Sequence, residues 1–242
     1  MRKPALPQGG VVVFDLDGTV LAVNSFPLWV MWMLRGRFPR LALWRRVAVA
    51  FQTARALAAR KAGMVSHETL KWRLQRLWQD AARGDSGAAE RELVCHLVDF
   101  VRPELAGVLA AVADGRLEAV LATAAAADYA EGLGRMLGFR HILATPRQRE
   151  EGSPSTVGVR KRDAVLHFLE KQGWGDRPIV FFTDHVEDLP LILRSHTVYW
   201  FGKDEERRVL SSRLQPQGIT LLPGARGEEI VTRVNMGAGS GC

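Results

Sequence analysis

Two aspartates set two residues apart, Asp15 and Asp17, close a short apolar run, and a second acidic pair, Asp184 and Asp188, follows another such run far downstream. Thr123 ends a third. If the runs are strands of one sheet, four carboxylates from two strand ends meet in one crevice, where their mutual repulsion demands a compensating cation. Oxygen ligands without Cys or His favour Mg²⁺, which typically keeps waters and takes one or two carboxylates together with a substrate phosphate. A phosphate ligand is the natural companion of such a site.

The elements that must position these residues read as follows. Val11 to Phe14 is a continuous, β-branched apolar run of the kind buried on both faces of a sheet. Beyond Pro103 the pattern alternates: helix over 104–113 stopped near Gly115, strand over 119–123, helix over 128–137 stopped by Gly138, strand over 142–145, helix over 162–171, strand over 179–183 and a last strand over 197–201. Strands alternating with helices imply an α/β fold, a parallel sheet with helices on both faces, and such sheets place their chemistry at the carboxyl ends of the strands. From about 26 to 100 the pattern is helical, with Trp72, Leu74, Leu77 and Trp78 on one apolar stripe, Leu93, Leu97, Phe100 and Val101 on another, and a loop over 83–87. The organisation expected is a core from 1–22 and 103–225, an all-helical insertion over 23–102 and a Gly-rich, flexible tail over 226–242.

Composition narrows the function classes. Hydrophobic residues at 47% and charged residues at 24% of 242 exclude a disordered or fibrous chain. Lys and Arg exceed Asp and Glu by 33 to 26, a net charge of +7. No acid occurs between Gly18 and His67, where Arg35, Arg37, Arg40, Arg45, Arg46, Arg55, Arg60 and Lys61 lie, so the excess belongs to this segment. Phe26, Trp29, Trp32, Phe38, Trp44 and Phe51 share it, which suits residues 26–61 to the headgroup region of an anionic membrane. The bland alternative is a helical unit with solvated arginines. No nucleic-acid partner is expected, because no recognisable binding module surrounds the basic run. Residues 18–34 form an uncharged run of 17, short of the roughly 20 apolar residues of a membrane span and interrupted by Asn24, Ser25 and Pro27. Cys95 and Cys242 provide no disulfide framework, and the apolar run after Arg2 and Lys3 is too short for a signal peptide, so a reducing, cytoplasmic setting is expected, with peripheral membrane contact as an option.

In order along the chain, Asp15-Leu-Asp-Gly-Thr, Thr123 after Val120-Leu-Ala, Lys161 in Gly158-Val-Arg-Lys, and Asp184-His-Val-Glu-Asp188-Leu-Pro resemble the motifs of the haloacid dehalogenase superfamily, over 11–21 and roughly 105–201. The resemblance implies a Rossmann-like core and a Mg²⁺-dependent phosphatase. Asp15 would be the nucleophile that forms an aspartyl-phosphate, and Asp17 the general acid and then base, with Gly18 permitting the turn that lets it reach the leaving oxygen. Thr123 would donate to a phosphoryl oxygen and Lys161 would neutralise the nucleophile and the transferring group, a task its neighbours Arg160 and Arg162 could share. Asp184 and Asp188 would hold Mg²⁺ with Asp15 and the backbone carbonyl of Asp17.

The helical block stands where the phosphoserine-phosphatase-like branch carries its cap, which excludes water and selects the leaving group. That branch expects a carboxylate nine residues after the nucleophile, and here Asn24 stands there. With an acid-free, arginine-rich cap this ranks anionic substrates above phosphoserine. Similar caps occur in membrane-associated phosphatases acting on phosphatidylglycerophosphate, so a phospholipid phosphate is one expectation, a small soluble metabolite the second, and a catalytically silent binding protein the third. Two further departures are Thr183, where the family has Gly, which suggests an altered backbone path, and His185, which is expected near the metal or facing substrate without ligating. Glu187 could replace Asp188 in a shifted register.

Overall fold

The computed structural model describes residues 9–148 and 156–226; apart from Arg226, the expected tail lies outside them. Strands β1 (Val11–Phe14), β2 (Ala119–Ala126), β3 (His141–Thr145), β4 (Ile179–Thr183), β5 (Thr197–Trp200) and β6 (Thr220–Pro223) form one parallel sheet in the order β3-β2-β1-β4-β5-β6. The order of connection reverses between β1 and β4, and ligands of open parallel sheets bind outside the carboxyl ends of the strands at such a reversal. Register fixes the depth of the site: Phe14 pairs with Phe182 on one side and Leu121 on the other, so Asp15 emerges beside Thr183, its N–H donating to the Phe182 carbonyl at 2.9 Å.

All four residues of β1 are fully buried, which explains why it carries apolar side chains without alternation. Val11 and Val13 enter the core on one face, where Val165 and Leu169 of α7 (Val159–Lys171) and Leu210 and Leu214 of α9 (Asp204–Leu214) meet them. Val12 and Phe14 enter the other, with α5 (Ala106–Ala113) and α6 (Ala127–Met136), while the short α8 (Leu189–Ile192) follows β4. On that second face Phe14, Phe182 and Tyr199 stack across three strands at ring separations of 4.5 and 4.7 Å.

Four helices are inserted between β1 and β2: α1 (Ser25–Leu34), α2 (Leu43–Lys61), α3 (His67–Asp85) and α4 (Ala88–Val98). Their core is continuous with the second face of the sheet, because Trp29, Leu74, Trp78 and Leu93 belong to the same buried cluster as Phe14 and Tyr129. The two chain crossings run side by side: Leu21 bridges Val101, the Ala22 N–H donates to Phe100 at 2.8 Å, and the Arg102 N–H donates to Val20 at 3.0 Å. Arg102 also donates to the Gly18 carbonyl at 2.9 Å and stacks on Phe201.

Three expectations need correction. The strand over 197–201 is not the last, since α9 and β6 follow it. The loop over 83–87 shrinks to Ser86 and Gly87, both with positive φ, because α3 runs on to Asp85, whose buried carboxylate accepts from Arg40 and Ala89 and so ties the helix end in place. Nor is the aromatic character of residues 26–61 turned outward as a whole: Trp29, Trp32 and Phe38 are buried, and Trp44 and Phe51 remain exposed. Among the described residues no helix is long and apolar enough to cross a membrane.

Because the insertion shares its core with the sheet, Trp78→Ala should lower stability by about 3–5 kcal/mol and leave denaturant unfolding a single transition. Two separated transitions would show that the helices unfold on their own.

Candidate active site

Asp15 leaves β1 into the crevice at the strand reversal and is buried. Lys161, in the first turn of α7, reaches it from the opposite side: its Nζ lies 2.9 Å from Asp15 Oδ1 and 2.8 Å from Asp188 Oδ1. Asp188 Oδ2 also accepts from the Thr183 hydroxyl at 2.7 Å. Asp184, one residue past β4, accepts from the Thr19 hydroxyl at 3.3 Å. Its carboxylate lies directly over Gly18, which has φ +75° and where a Cβ would collide with it. Gly18 is thus required both for the turn after Asp17 and for the approach of Asp184.

Asp17 faces the insertion. Its Oδ1 accepts the Ser25 N–H at 2.8 Å at the start of α1, and the Ser25 hydroxyl shares a hydrogen bond of 2.8 Å with the buried Tyr129 hydroxyl. Thr123, on β2, accepts from the Ala125 N–H at 3.0 Å, which leaves its own proton to donate. Asp15, Asp17, Thr123, Lys161, Asp184 and Asp188 all line one cavity of about 450 Å³. The structure therefore brings every expected site residue together.

Burial raises the Asp15 carboxyl to about 7, with Lys161 opposing and Asp188 and Asp17 adding to the rise. Asp17 is raised by burial against the hydrogen bonds from Ser25, and Asp184 by burial against His185 and Thr19. Burial alone would lower Lys161, but Asp15 and Asp188 more than offset it and keep the ammonium charged. Lys161 among the acids and Lys71 at the cavity's edge are two ammonium groups against the four expected aspartates, which leaves the crevice short of positive charge. The oxygen-only donor set and the Gly18 cradle under Asp184 fit a hard divalent cation. The side chains are not drawn into a closed cage: among the described residues no group of three or more acidic, His or Cys side chains could hold a metal ion as placed, since Asp188 is engaged by Lys161 and Thr183 and Asp184 by Thr19.

Lys161 takes the cationic position, while Arg160 is exposed. Asp188 is buried and Glu187 is not, so the register is unshifted. Thr183 does not divert the backbone: β4 stays paired with Trp200 through it, and the change from Gly instead supplies the hydroxyl on Asp188. His185 lines the cavity and accepts the Glu187 N–H at 3.2 Å, capping the turn that carries Asp188. Sequence reasoning missed Ser25, Tyr129, His67, Lys71 and Gln75, which also border the cavity or brace its lining. His67 and Lys71 stand at i and i+4 on α3, one helix face, a spacing that could have marked them.

No curated protein matches the sequence. Among solved structures, a protein of unknown function from Bordetella pertussis Tohama I is similar at a TM-score of 0.66 and 17% identity over 88% of this chain and 97% of its own. A probable phosphoserine phosphatase from Vibrio cholerae gives 0.58 and 14% over 97% and 68%, and a HAD family hydrolase from Salmonella enterica serovar Typhi 0.51 and 12% over 84% and 67%. These likenesses are of fold. The sequence profile of the haloacid dehalogenase-like hydrolases matches residues 12–193, from the strand that delivers Asp15 to the helix beyond Asp188, and by this match the chain belongs to that family.

Proposed function

We propose that the chain is a Mg²⁺-dependent phosphatase that hydrolyses an anionic phosphate monoester through an aspartyl-phosphate on Asp15. The observation that carries this reading is the buried Lys161 ammonium held between Asp15 and Asp188, at the floor of a cavity that Asp17 and Asp184 share. A silent binding protein has no use for so many mutually repelling acids in one crevice.

Asp15, Asp184, Asp188 and the backbone carbonyl of Asp17 are the groups that would hold Mg²⁺, which supplies positive charge against the phosphoryl oxygens. An Asp15 carboxylate oxygen bonds to phosphorus as the ester P–O bond breaks, and Asp17 gives its proton to the leaving oxygen. Asp17, now a carboxylate, takes a proton from water as that water attacks the phosphorus, and the bond to Asp15 breaks to release phosphate. A carboxyl raised by burial suits the acid half of this cycle. Lys161 holds Asp15 in place and offsets its charge, and Thr123 directs its hydroxyl proton at a phosphoryl oxygen.

The helical insertion acts as the cap. Its contribution to the cavity includes Asn24, Phe26, Trp29, His67, Lys71 and Gln75, and no acid. Asn24 caps α1 by accepting the Phe26 N–H at 2.9 Å, so its side chain serves the helix. A roof bearing Lys71 and no carboxylate favours an anionic remainder of the substrate over the ammonium of phosphoserine. Phospholipid phosphates such as phosphatidylglycerophosphate belong to this class. A small soluble anionic metabolite is the second reading, favoured by a cavity of about 450 Å³, enough for a small polar molecule.

Turnover of an aryl phosphate should depend on added Mg²⁺, vanish with chelator and return on re-addition. Asp15→Asn should lower it by at least about 10³-fold, and unchanged turnover would sink the assignment of the nucleophile. Gly18→Ala forces a Cβ against Asp184, so the Mg²⁺ concentration for half-maximal rate should rise about tenfold or more; an unaltered Mg²⁺ dependence would remove Asp184 from the ion's ligands. Lys71→Ala should raise KM about tenfold for esters whose organic part carries a further negative charge and leave an aryl phosphate with an uncharged aryl part nearly unaffected. Equal effects on both would show that Lys71 does not read the substrate's charge.

A further inference from the structure

α2 is amphipathic in an unusual sense, because its outward side is apolar. Val49 and Thr53 are its buried residues. On the opposite side Leu43, Val47 and Phe51 recur every four residues with Trp44 beside them, at 71%, 60%, 65% and 72% exposure. Met64, just past the helix, is 72% exposed. A protein that leaves this much contiguous apolar surface in water has a partner for it.

We propose that the outer face of α2 docks in the plane of an anionic lipid bilayer. Charge selects this occupant. α2 carries no acid, and Arg55, Arg60 and Lys61 are exposed along it, with Arg35, Arg37 and Arg40 exposed in the turns that lead into it. Aromatic and aliphatic side chains set among basic ones match the boundary between acyl chains and anionic headgroups. A second copy of the chain is a poor partner, since a symmetric contact sets each positive face against its like. With no acid anywhere from Gly18 to His67, nothing on this face pairs those charges within a dimer. At 19 residues α2 is about 28 Å long, and its charges keep it lying on the surface instead of crossing it. Residues 62–66 separate its C-terminal end from His67, which lines the cavity.

The docking goes beyond the phosphatase reading and does not depend on it, and it is measured without turnover. The full chain is floated with vesicles of phosphatidylcholine, with or without phosphatidylglycerol. Binding is expected to the anionic vesicles, with little to the neutral ones. The double variant Trp44→Ser with Phe51→Ser should reduce it at least about tenfold, as should Arg55→Glu with Lys61→Glu. Both variants change exposed side chains, so circular dichroism and aryl-phosphate turnover should match the parent. Three outcomes overturn the proposal: no binding to anionic vesicles; binding that the Trp44→Ser, Phe51→Ser variant retains, which means adsorption by charge alone; or concentration-dependent self-association that the same variant abolishes, which assigns the face to a second copy.

Discussion

A buried ammonium sits between two buried carboxylates where the strand order of the sheet reverses. Lys161 reaches Asp15 and Asp188 at 2.8–2.9 Å from a helix on the far side of the crevice. Breaking such a buried pair by removing one partner costs about 3–5 kcal/mol, because the other charge is left uncompensated. The sheet topology makes the contact possible. β1 and β4 are neighbours in space but are separated in sequence by the insertion and two further strands, and the reversal of strand order at their junction brings Asp15 and Asp188 to one place. α7, which precedes β4, then sets Lys161 against both.

The same crevice ties the insertion to the sheet. Asp17 accepts from the first residue of α1, and Ser25 passes the connection to Tyr129 of α6. Arg102 closes the other crossing by donating to the Gly18 carbonyl, the residue over which Asp184 lies. A displacement of the helices is therefore felt first at Asp17 and Gly18. The proposed acid–base group is thus held by the first helix of the insertion, and in the proposed reaction its placement would follow any movement of that helix.

How much of this was legible in the sequence follows from where information is local. β1 and β4 could be read because strands buried on both faces are continuously apolar, and the acidic pairs because they stand just after such runs. α9 and β6 escaped. α9 is dominated by charge and buries only Leu210 and Leu214, while β6 has four residues at the sheet edge and ends in proline, so neither carries a strong periodic signal. The insertion was legible as helical, but composition alone could not say which aromatics turn inward. Trp29 and Trp44 look alike in sequence; one packs on Trp78 and Tyr129, and the other faces water. The Ser25–Tyr129 link joins residues 104 positions apart and has no local pattern at all.

In the proposed reaction two aspartates two positions apart start in opposite protonation states, and their surroundings differ in which one touches a charged partner. In that reaction Asp15 begins as a carboxylate, and it has an ammonium within 2.9 Å. Asp17 begins as an acid; its hydrogen bonds come from the uncharged Ser25, with Lys71 and Lys161 acting on it only from a distance. Burial raises both; Lys161 opposes the rise at Asp15, and the Ser25 hydrogen bonds oppose it at Asp17. A cation bound through the Asp15 side chain and the Asp17 carbonyl would set the two apart, because it would favour ionisation of the carboxyl it touches more than of the one it does not. Where the chain leaves β1 and turns at Gly18, two acids separated by one residue face different environments: Asp15 meets Lys161, and Asp17 meets the start of α1.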